Sequence, residues 1–168
     1  MVGWLVIYLA SCFSVALLGG RATAGALTAW YPALRKPAWT PPGWVFGPVW
    51  TVLYTLMATA AWLVRRSAPA RPSLAKSALR LWWLQLGLNL GWSLVFFGRR
   101  RPDWGLLVIA ALELAIVGTM VLASRVSRAA AALLAPYAGW TAFALVLNYR
   151  ITQLNRGRTR TRVWRWWR

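Results

Sequence analysis

Glu113 is the one carboxylate set within a long apolar stretch of this chain, and few other residues offer chemistry. It admits two readings: a hydrogen-bonded structural acid, or the proton-carrying group of a coupled exporter. The second acid, Asp103, stands beside Arg99, Arg100 and Arg101 and reads as a local charge partner. Histidine is absent and Cys12 is the only cysteine. The commonest general base, the commonest metal ligand, an internal disulfide and a cysteine metal cluster therefore drop out together. A proximal-histidine haem site goes with them. No dyad, triad or metal set remains for conventional catalysis, and no cofactor or metal is expected. What remains is polar but neutral. Gln85, Asn89 and Ser93 recur every four residues, one stripe of a helix, and Asn148 follows Trp140 by eight and Ala144 by four. In a membrane such stripes either bond between helices or line a cavity, and the spacing suits both.

The elements that must carry these residues are apolar. Of 168 residues, 60% are hydrophobic and 13% charged, where a soluble domain has roughly 25% charged. Twenty Lys and Arg against two acids give +18, a balance that would suit nucleic acid were it spread over a soluble face. Instead the cations cluster between apolar stretches, where they read as membrane flanks meeting anionic headgroups; no nucleic-acid partner is expected. Spanning hydrocarbon takes about 20 apolar residues in helix. Five segments qualify, at 4–20, 43–64, 79–97, 104–123 and 130–149. The first lacks a basic run ahead of it and reads as a retained helix rather than a signal peptide. The expected fold is thus an all-α membrane protein, a five-transmembrane-helix bundle over residues 1–150.

Between helices one and two lies residues 21–43, too long for a turn and too polar to span. Pro32, Pro37, Pro41 and Pro42 stiffen it, and Trp30, Tyr31 and Trp39 suit an interface or a pocket mouth, so an ordered loop is expected. Trp4, Trp62, Trp82, Trp83 and Trp104 lie near helix ends and read as interfacial belts. The tail, 151–168, interleaves arginine with tryptophan and is expected to lie on headgroups. Basic residues number 13 on the side of the tail and 7 on the other, which puts the tail inside and the N-terminus outside. Gly87 and Gly91 form a G-x-x-x-G on helix three, a spacing that admits close approach of another helix, within the chain or from a second copy.

Several runs carry a resemblance. The first is Trp30-Tyr31-Pro-Ala-Leu-Arg-Lys36-Pro37-Ala-Trp39-Thr-Pro41-Pro42-Gly43, continuing through Phe46, Pro48, Trp50 and Tyr54. Then come Gln85, Asn89, Trp92 and Ser93, then Phe96-Phe97, then Glu113, and finally Pro136-Tyr137, Trp140, Phe143-Ala144 and Leu147-Asn148-Tyr149. This ordered set resembles the TspO/MBR family of translocator proteins, in the bacterial type, over all but the tail. The resemblance implies a membrane protein that binds porphyrins or haem-like flat apolar ligands, with Tyr31, Trp39, Trp50, Asn89, Trp140 and Ala144 lining the pocket and Asn148 beside them. Tryptophan and tyrosine would stack on the ring face, and Arg35 or Lys36 would meet its carboxylates. It also implies a homodimer through Gly87 and Gly91 on helix three. Sensing or transport is the leading function. Light- and oxygen-dependent porphyrin breakdown at Trp50 and Trp140 is the enzymatic alternative, and export through Glu113 the third. A bacterial inner membrane is the expected location. The sterol pattern of the animal members fails here, because Arg150 follows Tyr149 at once and Arg156 lies one position too far.

Overall fold

The computed structural model describes the backbone of residues 2–163 and the side-chain surroundings of residues 2–156. Among the described residues there are five α-helices and no strand: α1 Val2–Thr28, α2 Phe46–Arg66, α3 Pro72–Ser93, α4 Pro102–Ser124 and α5 Arg128–Val163. Proline opens α3 and α4, where its missing N–H would have had no helical partner anyway. The Pro41-Pro42 pair feeds a single 3-10 turn, Gly43–Val45, ahead of α2. A wide π turn, Leu94–Gly98, closes α3 and turns the Phe96 side chain into the interior.

The helices form a ring. α1 packs on α2 and α3, α2 on α5, α5 on α4, and α4 back on α3, with α2 and α3 also touching across the middle. Small residues set the close approaches. Ala58, Ala60 and Ala61 of α2 and Ala75 and Ala78 of α3 are all buried. A Cβ on Gly105 would stand 3.1 Å from the Phe96 ring and 3.2 Å from Asn148 Oδ1. Gly105→Ala is therefore expected to push α4 away from the π turn and α5, lowering stability by about 1–3 kcal/mol in a thermal or denaturant melt in detergent.

Four helices are long and apolar enough to cross a membrane: Val2–Thr28, Gly43–Arg66, Pro102–Ser124 and Arg128–Arg156. Only 17–39% of their most apolar stretches is buried inside the bundle, so most of the apolar surface faces outward, as lipid requires. Leu107 and Leu114 are 62% and 74% exposed. α3, at 22 residues, is close in length to α2 and α4, at 21 and 23, but carries Lys76, Arg80, Gln85 and Asn89, which hold its hydropathy down.

Three sequence expectations are corrected. α1 runs to Thr28 rather than stopping near residue 20, because residues 21–28 are rich in helix-forming alanine and hold no proline. The loop shrinks accordingly to 29–42. α5 continues past 149, and Ile151, Thr152 and Asn155, assigned above to the tail, are buried. Trp82, expected in an interfacial belt, is 1% exposed and donates its indole N–H to Met57 O at 3.0 Å. It shares a helix face with Gln85 and Asn89, whereas Trp83, one residue on, faces outward. The stretch 157–168, expected on headgroups, lies outside the described side chains.

Candidate ligand-binding site

The bundle interior holds a polar knot. Tyr54 of α2 donates its hydroxyl to Asn89 Oδ1 at 2.7 Å, and Asn89 Nδ2 donates to the Tyr137 hydroxyl of α5 at 3.0 Å. One amide on α3 thus ties three helices, and Asn89 is 1% exposed. Trp50 caps the knot, its ring 5.3 Å from Tyr54 and edge-on to Tyr137 at 6.3 Å. A second knot lies toward the loop end. Trp92 Nε1 donates to Asn148 Oδ1 at 3.1 Å, while Asn148 Nδ2 donates to Pro102 O at 2.8 Å. Thr152, four residues on, also bonds Pro102 O. Glu113 of α4 is met by the Thr141 hydroxyl of α5, a contact within the bundle. Gln85 finds no partner for its amide among the described residues.

Beside the second knot is a cavity of about 30 Å³, lined by Tyr31 from the loop, Phe46, the π-turn pair Phe96 and Phe97, and the α5 residues Phe143, Ala144 and Asn148. Its walls are aromatic rings, several of them meeting edge to face. Trp39 meets Phe143 at 5.6 Å, Tyr31 meets Phe96 at 6.4 Å, and Trp140 lies against both Phe46 and Phe143. Trp140 Nε1 is buried and has no acceptor among the described residues. Burial pushes the Tyr31 phenol pKa up, so it remains a neutral donor at physiological pH.

The loop forms a lid with its own fastenings. Lys36 Nζ donates to the carbonyls of Tyr31 at 2.8 Å, Pro32 at 3.1 Å and Leu34 at 3.2 Å, and lies 4.9 Å from the Tyr31 ring centroid. Asn155 of α5 grips the Arg35 backbone from both sides, accepting from its N–H at 3.2 Å and donating to its carbonyl at 2.9 Å. Asn155→Ala should release that grip. The Arg35 amide is expected to exchange its hydrogen at least about tenfold faster, since a net hydrogen bond contributes about 1 kcal/mol and the carbonyl is freed as well. Hydrogen exchange followed by mass spectrometry over residues 30–40 reads this directly.

A sequence profile of the TspO/MBR family matches residues 7–154, nearly every residue that builds the two knots, the cavity and the lid. The chain belongs to the TspO/MBR family. Relatives share that extent. A tryptophan-rich protein TspO of Chlorobaculum tepidum is 40% identical over 90% of this chain and 95% of its own length. A translocator protein of Homo sapiens is 39% identical over 83% of both chains. A tryptophan-rich sensory protein of Cereibacter sphaeroides is 37% identical over 93% of this chain and 94% of its own. Membership of the TspO/MBR family and the apolar helices together make this a multi-pass membrane protein.

The residues expected at the site in this TspO/MBR chain fall into separate layers. Tyr31, Ala144 and Asn148 line the cavity. Trp39 and Trp140 form its outer wall, through Phe143 and Phe46. Trp50 and Asn89 sit in the central knot, not on the cavity. Lys36 is spent on loop carbonyls, while the Arg35 side chain is exposed. Gly87 meets nothing where a Cβ would stand, and Gly91 has Val108 at 3.8 Å. Sequence reasoning did not assign Asn155, Phe46, Phe96, Phe97 or Phe143 to the site, although the four phenylalanines stand in the runs that carry the resemblance. Asn155 had a legible signal, being seven residues, two helical turns, beyond Asn148.

Proposed function

We propose that this TspO/MBR protein is a membrane receptor, sensor or carrier, for flat apolar ligands of the tetrapyrrole class, seated between the 29–42 lid and α5. The observation that carries the reading is the aromatic cavity at Ala144, two of whose rings, Phe46 and Phe143, pack on Trp140, whose buried N–H has no acceptor among the described residues. Ring faces would stack on tyrosine and tryptophan, and the indole N–H would meet a carbonyl or carboxylate. A volume of about 30 Å³ holds roughly one water, so a ring system enters only when the lid lifts. The Asn155 grip on Arg35 and the Trp39–Phe143 contact are what must open. With Lys36 engaged by the loop, the exposed Arg35 is the better partner for an acidic edge. The names of the relatives, translocator protein and tryptophan-rich sensory protein, agree with a receptor or carrier.

All five helices cross the bilayer in this reading, because α3 is about 33 Å long and packs between α1 and α4. The protein sits in a bacterial inner membrane, N-terminus outside, and pairs with a second copy through the open face at Gly87. Titration with protoporphyrin IX in detergent, in the dark, should quench tryptophan fluorescence saturably. Glu113→Gln should leave that curve within about twofold of wild type, since glutamine can keep a hydrogen bond to Thr141. Non-saturating quenching would contradict the receptor reading. Turnover of illuminated porphyrin, lost in Trp50→Phe or Trp140→Phe, would replace it with the degrading enzyme; transport lost in Glu113→Gln would replace it with the exporter.

A further inference from the structure

At the opposite end of the bundle from the lid, a cleft of about 450 Å³ opens between the start of α1, the end of α2 and the first half of α3. Three cations, Arg65, Lys76 and Arg80, line it. Lys76 and Arg80 stand four residues apart on one face of α3, where like charges repel. Arg65 is held in place by the Trp4 ring, its guanidinium 3.7 Å from the ring centroid. No acid lines the cleft. Neither side-chain acid of the sequence is open to it, because Asp103 is bonded twice to Arg101, at 2.8 and 3.0 Å, and Glu113 is engaged with Thr141. Among the described residues the three cations have no carboxylate counter-charge, which suits an anion from outside the chain. The remaining wall is apolar: Tyr8, Leu79 and Trp83, the last 45% exposed, lead onto the outward face of α3 at Leu84, itself 53% exposed.

We propose that this cleft is a binding site for an anionic phospholipid, its phosphate held by Arg65, Lys76 and Arg80 and its acyl chains lying along Leu79, Trp83 and Leu84. Charged donors bond phosphate oxygens strongly, and basic pockets between transmembrane helices suit such headgroups. The apolar exit toward lipid favours a phospholipid over a free anion. The site is separate from the cavity beneath the lid and does not depend on the ligand proposed there.

Native mass spectrometry of the full chain, titrated with phosphatidylglycerol or phosphatidylcholine in detergent, tests the proposal. Wild type should retain one phosphatidylglycerol in preference to phosphatidylcholine. With each basic residue contributing about a fivefold factor, the double variant Lys76→Gln/Arg80→Gln should retain it about 30-fold less well. Lys76→Arg/Arg80→Lys should restore retention. Arg21→Gln/Arg99→Gln, which removes two exposed charges distant from the cleft, should change it less than about twofold. Both glutamine pairs weakening retention equally would reduce the effect to general surface charge and overturn the site. So would an absence of preference between the lipids, or displacement of the lipid by inorganic phosphate at equal concentration, which would make the cleft a free-anion site.

Discussion

Ala144→Phe should weaken binding of protoporphyrin IX about 30-fold, read as dark tryptophan quenching in detergent. Ala144 is the smallest side chain lining a cavity whose other walls include Tyr31, Phe46, Phe96, Phe97 and Phe143. A benzyl group there fills the space a planar ligand would occupy, and displacing it costs about as much as overpacking a core, about 2 kcal/mol. The fold should tolerate the change, because Ala144 is only half-buried and an aromatic residue finds aromatic neighbours. Helical circular dichroism unchanged beside a weakened curve separates blocked binding from misfolding. A curve identical to wild type would mean that porphyrin is adsorbed on the outer surface.

The largest effect on stability is expected at Asn89. In Asn89→Leu the hydroxyls of Tyr54 and Tyr137 both lose their partner in the bundle interior, where the phenols are 5% and 0% exposed. Each stranded group costs about 1–3 kcal/mol, so a loss of about 2–6 kcal/mol is expected in a denaturant melt. The triple variant Tyr54→Phe/Asn89→Leu/Tyr137→Phe should recover most of it, since removing every member of a buried polar network leaves nothing unpaired. Additive losses in the triple variant would show that Asn89 acts through its volume and not through the network.

How much of this was legible in the sequence depended on where each residue sat. The aromatic lid and its prolines were readable, because Trp-Tyr and the Pro-Pro pair are local features. Helix ends were not. Hydropathy records where the apolar run stops, whereas hydrogen bonding carries α1 on to Thr28 and α5 past Tyr149. Asn155 was lost to the tail for that reason, although it fastens the lid. Nor does spacing distinguish which polar residue meets a cavity and which a neighbour. Asn89 and Asn148 looked alike, yet the first is closed in a knot of tyrosines and the second lines the cavity. Trp82 and Trp83 differ by one residue and by about 100° around the helix, which puts one in the core and turns the other outward.

The central claim is that a tetrapyrrole binds beneath the lid, against α5. A structure of the full chain with protoporphyrin IX, prepared in the dark, tests it most directly. The account predicts the ring between Tyr31 and Trp39 of the raised lid and Ala144 of α5, with the Trp140 N–H turned to it. A ring found on the outward, lipid-facing surface of the helices, with the lid still fastened to Asn155, would contradict it.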